Sequence, residues 1–481
     1  MKPFSKKIIL LLKCLLAFSI FSCSLRQKEE VADIQYIYQD AAKFHGIDTV
    51  PVIVIPGILG SNLVDQTTGK PAWGTFHGDY SNPATAEGLK ALALQPQYGT
   101  ALKNIPTNLR SNGALESAEF KALGLTLHAQ AYAQILQTLG TGGFKDESVH
   151  SDSLDYGKDH FTCFQFDYDW RYSNVENAKK LDEFITAKKK YIRQKIKEKY
   201  GVDKKDIKFN IIAHSMGGLV ARYYARYGTQ DLPTTGTPTL NWAGAKNINQ
   251  LFVVATPNSG SALAMEELLS GKQITPKWLK WVAGLSFEEY PAELLGTYPS
   301  IYELLPRTRH NFLVDAQDNP LDAFSYELWE KQGWGLAGAN TAVLRDMISS
   351  EASDEELHTL AKEHLAKCLH NAKQFHKAID KPARSKPAHL QMNLFVGDSI
   401  STLSQLKLVE GELVRSKYEP GDQTVIRSSV LADEKAGGSY ENPKINSPIP
   451  FDHSNFIFGE HVKLTADTGF SDNILFELLQ R

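Results

Sequence analysis

The stretch Asn210–Val220 reads NIIAHSMGGLV. An apolar run stops, a serine follows a histidine, and two glycines open what reads as a helix. Upstream, Ile207, Phe209, Ile211 and Ile212 form a short β-branched and aromatic run, too short for a buried helix and suited to an interior parallel strand. Downstream, LVARYYARYG sets Leu219, Val220, Tyr223 and Tyr227 near helical spacing, with Gly228 as a stop. Ser215 therefore sits on a strand-to-helix elbow. So tight a turn needs small residues two positions before and two after the serine, and Ala213 and Gly217 fill them. Such an elbow lifts the hydroxyl above the sheet and aims helix N-terminal N–H groups at it, where developing negative charge is favoured. A plain βα turn with a capping serine shares this local pattern, so the rest of the chain must decide.

Working outward, VPVIVIPGILGSNL (Val50–Leu63) is a buried strand followed by Pro56, Gly57 and Gly60. Residues 65–125, rich in Gly, Asn, Thr and Pro, read as loops with short helices. AYAQILQTL (Ala131–Leu139) has helical spacing, FTCFQFDYDWR (Phe161–Arg171) reads as a strand entering a loop, and Asn177–Tyr200 as a lysine-rich amphipathic helix. LFVVATPNSGS (Leu251–Ser261) and LQMNLFVGDS (Leu390–Ser399) are further buried strands. Strands alternating with helices predict an α/β chain with a mostly parallel, doubly wound sheet. Between Ser261 and Pro387 strand signals vanish and aromatics gather: Trp278, Trp281, Phe287, Tyr290, Tyr298, Tyr302, Trp329 and Trp334. An insertion after a sheet strand overhangs the end where such folds keep their sites, so this segment reads as a large helical cap. In KWLKWVAGLSF, Trp278, Trp281, Val282 and Leu285 share a helical face, which packs into the cap's own core or faces lipid or substrate. The expected division is residues 49–260 and 388–481 for the α/β core and 261–387 for the cap.

A serine hydroxyl is a weak nucleophile without a base in reach and a carboxylate to orient that base. In EPGDQTVIRSS (Glu419–Ser429), Pro420 and Gly421 make a turn, Asp422 follows, and Thr424, Val425 and Ile426 resume an extended run. Asp422 is the expected acid, although an aspartate can also merely stabilise its own turn. Two histidines compete for the base: His453, just past the apolar run PIPF, and His461, past NFIF. His461 is preferred, because its spacing to a final helix bearing Phe470, Ile474, Leu475 and Leu478 fits better. Two backbone donors must face the developing oxyanion: the N–H of Met216, next after the serine, and that of Ile58, which Gly57 would turn inward.

Composition excludes several classes. The chain has 481 residues, 42% apolar and 22% charged, with a net charge of −3, ordinary for a globular protein. Nothing supports nucleic-acid binding. No H-E-x-x-H, paired C-x-x-C or P-loop is present, so neither metal nor cofactor is expected. The first residues differ. Lys2, Lys6 and Lys7 precede IILLLKCLLAFSIFSC, a basic and then apolar leader ending at Ser22 and Cys23. Ile20-Phe21-Ser22-Cys23 resembles a bacterial lipoprotein box, with residues 1–22 as signal peptide and Cys23 as lipidated N-terminus; ordinary signal cleavage near Ser22 is the alternative. Either places the mature chain outside the cytoplasm, in the first case on a membrane surface. Residues 23–48, polar and mixed, read as a lipidated tether. Cys163 and Cys368 remain for the folded part; two buried thiols are the preferred reading and one disulfide the other.

Taken together, PVIVIPGILGSNL, FDYDWR, AHSMGGLVARYY, ATPNSGS and GDQTV resemble, in family order, the lecithin:cholesterol acyltransferase and lysosomal phospholipase family of α/β-hydrolases. The elbow here opens on Ala213 rather than glycine. The resemblance implies an α/β-hydrolase fold and serine esterase chemistry on a lipid ester substrate, with Ser215, Asp422 and a late histidine as triad and Ile58 and Met216 as oxyanion donors. A lipase, phospholipase or acyltransferase is the leading expectation. An esterase on small or cell-wall-linked acyl esters is the runner-up, and a non-catalytic lipid-binding lipoprotein the reading from another class. Protein partners are not legible.

Overall fold

The computed structural model describes residues 32–75, 79–115, 117–122, 125–130, 132–148, 160–273, 289–383, 385–436 and 444–480. The signal segment, Cys23 and the KWLKWVAGLSF stretch with Trp278, Trp281, Val282 and Leu285 lie outside them.

Six strands form the central sheet: β1 (Val52–Ile55), β2 (Cys163–Gln165), β3 (Phe209–His214), β4 (Ile248–Val254), β5 (Gln391–Gly397) and β8 (His453–Ile457), with two hairpin strands, β6 (Ile400–Val409) and β7 (Glu412–Gly421), lying between the last two in the chain. The spatial order is β8-β5-β4-β3-β1-β2, and every neighbouring pair is parallel. Parallel strands need helical crossovers and bury both faces. Alternation along β1 shows how the faces divide. Val52 and Val54 join one core cluster with Ile212, Phe252, Phe395, Tyr132, Ile135 and Ile474. Ile53 and Ile55 join the other with Ile211, Leu251, Leu394, Leu181, Ile185 and Leu219. The first face is covered by α2 (Ala133–Thr141) and α6 (Thr468–Leu479), the second by α3 (Asn174–Tyr200) and α4 (Met216–Tyr227). The sheet is thus doubly wound, as the alternating strand and helix signals predict.

The segment between β4 and β5 is largely helical and ends in α5 (Asp354–Ile379), which opens on a Ser353–Glu356 capping box. Among its described aromatics, Tyr290, Tyr298, Tyr302 and Trp329 serve packing, fully buried in the second-face cluster. Among the described residues no helix is long and apolar enough to cross a membrane.

Three expectations need correction. Residues 65–125, expected as loops with short helices, also contain strands. Ser61–Asp65 pairs antiparallel with Pro71–Trp73 and Leu109–Ala114 in a small sheet, and short strands broken by Gly and Asn gave too little alternation to read. The sequence around the expected acid hides a long hairpin, β6 (Ile400–Val409) and β7 (Glu412–Gly421). Almost all of β7 is exposed, so it shows no hydrophobic period. The stretch expected to be a free tether is docked from residue 33 onward. There a short helix, α1 (Ile34–Tyr38), buries Tyr38, whose hydroxyl donates to Asp472 Oδ1 at 2.6 Å, and His45 reaches the Gly142 carbonyl at 2.8 Å. Cys163 and Cys368 are buried free thiols.

Candidate active site

Ser215 lies between β3 and α4 with φ 54° and ψ −128°. L-residues avoid this region, and only a surrounding structure that over-determines the turn holds one there. The surroundings are tight on both sides. A Cβ on Gly217 would fall 2.8 Å from the Ile55 carbonyl, and one on Gly57 would fall 2.7 Å from Ser215 Cβ. Glycine at 217 lets α4 start against β1, and glycine at 57 lets the loop after β1 lie over the serine. Val254 anchors the turn by accepting the Ser215 N–H at 2.8 Å.

The later loops bring the other groups. His461 Nε2 lies 2.9 Å from Ser215 Oγ, and His461 Nδ1 lies 2.7 Å from Asp422 Oδ2. The imidazole tautomer follows: Nδ1–H donates to the carboxylate and Nε2 accepts from the serine hydroxyl. Asp422 also takes the His461 backbone N–H on its carbonyl at 2.9 Å, so one residue grips the histidine twice. Its Oδ1 accepts from the Val425 and Thr424 N–H groups at 2.7 and 3.0 Å. Burial alone would raise the Asp422 carboxyl; the adjacent His461 and the two backbone donors outweigh it and hold the group below its ordinary value. Asp422 is fully buried, and Ser215 and His461 are each 8% exposed.

The expected residues therefore stand as follows. Ser215, Asp422 and His461 converge. His453 opens β8, is exposed and pairs with Asn393 through the backbone, away from the serine. Met216 is the first residue of α4, so its N–H is one of the orphan N-terminal donors. Ile58 directly follows Gly57, whose own N–H is already committed to the Tyr132 hydroxyl at 2.7 Å.

Several residues of the site escaped the sequence reading. The loop from Pro56 to Ser61 is held by aromatic side chains bonded to its backbone. Tyr168 Oη donates to the Pro56 carbonyl at 2.8 Å, Trp73 Nε1 to Leu59 at 2.7 Å, and Trp170 Nε1 to Ser61 at 3.1 Å. Leu59 itself has φ 63°, a left-handed turn that needs such support. Two of these residues come from FDYDWR, a motif visible in the sequence without a role. Its Arg171 is fully buried, fork-bonded to Asp169 and donating to the Leu92 carbonyl at 2.7 Å. Beside the serine, His214 bonds the Tyr132 hydroxyl and the His461 carbonyl. A cavity of 370 Å³ lies elsewhere, lined by Lys103, Tyr172, Asn371 and Gln374 among others, and shares no residue with the triad.

Residues 94–329 match the lecithin:cholesterol acyltransferase family model. No curated protein matches the chain. Among solved structures, one chain of the Tle4-Tli4 complex aligns over 90% of this chain and 98% of its own, at 14% identity and a TM-score of 0.51. Lipase 1 from Pelosinus fermentans aligns over 90% and 100%, at 12% identity and TM-score 0.34. Phospholipase PlaB from Legionella pneumophila aligns over 73% and 57%, at 13% identity and TM-score 0.30. Only the first has a TM-score above 0.5, and at 14% identity it shows the fold alone. The family match supports a lipid ester hydrolase or acyltransferase. With its six-stranded parallel sheet and flanking helices, the chain has an α/β-hydrolase fold, and over residues 94–329 it resembles the lecithin:cholesterol acyltransferase family.

Proposed function

We propose that the protein is a serine lipase, phospholipase or lipid acyltransferase that works outside the cytoplasm through an acyl-enzyme on Ser215. The observation that carries the chemistry is the 2.9 Å and 2.7 Å chain from Ser215 through His461 to Asp422. In this reading His461 Nε2 takes the serine proton as Oγ attacks the ester carbonyl, and Asp422 stabilises the imidazolium and holds its tautomer. The Met216 and Ile58 N–H groups receive the tetrahedral oxyanion. His461 then gives its proton to the leaving alkoxide, which departs and leaves the acyl group on Ser215. Water or a lipid alcohol, deprotonated by the same histidine, releases the acyl group, so hydrolysis and transfer differ only in the acceptor.

The basic and apolar leader and Cys23 support a membrane-anchored lipoprotein. Because the chain is docked from residue 33, an acylated Cys23 would sit only about ten residues away, a reach of at most about 36 Å. The site would then face bilayer lipid at short range. A fluorophosphonate probe tests the chemistry: it should label Ser215, and Ser215→Ala should not label. Incubating the protein with a membrane lipid extract should show one ester class disappearing; new esters appearing would mark transfer. Cys23→Ser should release the protein from membranes without loss of turnover on a soluble p-nitrophenyl ester, and a variant that still pelleted after high-salt washing would remove the anchor from this reading.

A further inference from the structure

The catalytic reading above leaves two buried polar side chains beside the triad unused, His214 and Tyr132. Both are almost fully buried, where an unpaired polar group is costly. The Gly57 N–H lies 2.7 Å from Tyr132 Oη, which lies 3.1 Å from His214 Nδ1; His214 Nε2 lies 3.0 Å from the His461 carbonyl oxygen. A backbone N–H stands at one end and a backbone C=O at the other, and this fixes every proton between them. Gly57 can only donate, so Tyr132 Oη accepts. The one Tyr132 hydrogen then goes to His214 Nδ1, which must be bare. The neutral ring therefore carries its proton on Nε2 and donates it to His461, which can only accept.

We infer that Tyr132 and His214 are positioning residues that tie the oxyanion loop to the loop of the catalytic base, so that both walls of the site keep a fixed distance across Ser215. The inference rests on the serine-hydrolase reading. At one end, Tyr132 occupies the Gly57 N–H and, with Tyr168 on the Pro56 carbonyl, fixes the Pro56–Gly57 peptide plane, one peptide before the Ile58 N–H. At the other, the backbone of His461 is held on both sides, its N–H by Asp422 and its C=O by His214. The imidazole then has no freedom left except rotation, and its two nitrogens are taken by Asp422 and Ser215. Burial, followed by the proximity of His461, pushes His214 down to about 3, so its polarity does not reverse when His461 is protonated during turnover. A charged His214 would present Nδ1–H to Tyr132, and the chain of donors would break.

Two substitutions at His214 divide its functions. Glutamine can place an amide N–H near the Nε2 position and keep the hold on His461; asparagine reaches only toward Tyr132. Tyr132→Phe keeps the ring and removes the bridge. The full chain would be assayed on p-nitrophenyl butyrate, with active sites counted by fluorophosphonate. Small misplacements of reacting groups cost up to about 100-fold, so Tyr132→Phe and His214→Asn should lower kcat by about 10- to 100-fold with KM unchanged. His214→Gln should recover most of the rate. Wild-type turnover in Tyr132→Phe and His214→Asn overturns the inference. So does a His214→Gln variant no better than His214→Asn, with melting temperature falling in step with rate, since that marks packing alone. If the unaltered protein itself neither labels nor hydrolyses, the serine reading fails and this one falls with it.

Discussion

Helix α4 carries a buried polar cluster at each end. At its N-terminus stand Ser215, His214, His461, Asp422 and Tyr132. Along its body and C-terminus stand Arg222, Arg226 and Tyr227, which meet the end of α5: Arg222 Nη2 donates to the Ile379 carbonyl at 3.2 Å, Tyr227 Oη to Ala378 at 2.7 Å, and Arg226 to Lys381. Arg307, Asp380 and Glu303 extend that second cluster, all buried or nearly so, and His364 is buried farther up α5 against the Thr297 carbonyl. Both regions hide histidines and carboxylates, and both shift their ionisation. Burial pushes Glu303 up to about 7 and His364 down to about 4. The difference is where the groups end. In the second cluster the arginines and Tyr227 end on the carbonyls that close α5 and on Asp380, and Glu303 on the Ser173 hydroxyl and Asn174 N–H that open α3, so they satisfy orphan groups at helix ends. In the first they converge on one strained hydroxyl. Perturbed ionisation alone therefore does not mark a site; convergence on a reactive atom does.

By that contrast, substitutions in the first cluster should lower turnover and spare stability, and substitutions in the second should do the reverse. The largest effect belongs to Ser215→Ala. Loss of a triad serine costs on the order of a millionfold in kcat, while circular dichroism and melting temperature should stay those of the unaltered protein. Retained hydrolysis in a folded Ser215→Ala would end the catalytic reading. Next comes Asp422→Asn, which keeps the shape but removes the charge that holds the His461 tautomer, at about 10⁴-fold in kcat.

The second cluster responds in stability. Arg307 and Asp380 form a buried pair at 3.0 Å, with side chains 3% and 14% exposed. Arg307→Ala leaves the carboxylate to the half-exposed Arg309, which pairs with it at 3.0 Å, so the cost should approach but not reach the about 3–5 kcal/mol of a fully broken buried pair. Denaturant unfolding should show the loss; kcat per folded molecule should not change. His364 gives a pH signature. Its ring bonds the Thr297 carbonyl at 3.0 Å, and burial brings it from 6.5 to about 4. Below about pH 6.5 the unfolded chain takes up a proton that the folded one refuses until about pH 4. This contribution to stability is present above pH 6.5 and is lost as pH falls through that window, by at most about 3 kcal/mol. His364→Gln retains an N–H for Thr297 and should flatten melting temperature against pH between about 4 and 6.5. An unchanged slope would mean that other groups set it.

The two clusters were not equally legible. The elbow could be read from eleven consecutive letters, because strand, turn and helix each have a local signature and the small residues at 213 and 217 are a steric requirement. Asp422 could be located by its order and its turn, although the hairpin that delivers it, exposed along nearly all of β7, carries no hydrophobic period. Tyr132, Trp73 and Trp170 could not be found. Their work is done through single hydrogen bonds to a loop 14–109 residues distant in the chain, and nothing in their neighbours records such a contact. Arg222 and Arg307 were silent for the same reason.

The smallest effect sharpens the comparison most. His453 and His461 stand eight positions apart on the same late segment, and spacing to the last helix was the only sequence argument between them. His453 is the first residue of β8, an edge strand, where its backbone pairs with Asn393 and its side chain is exposed. His461 comes after the strand has ended, where the chain turns back over the sheet toward Ser215 and starts α6 six residues later, at the Asp467 cap. The strand points its side chains across the sheet, whereas the loop beyond its C-terminal end can reach over the elbow. A histidine within the edge strand therefore cannot replace one in the loop, however near in sequence. His453→Ala should change stability by less than about 0.5 kcal/mol, as exposed substitutions do, and should keep wild-type kcat and KM on a soluble ester, while His461→Ala is inactive with an unchanged melting temperature. If the two variants behave the other way round, the base resides on the strand and the convergence at Ser215 is not the working site.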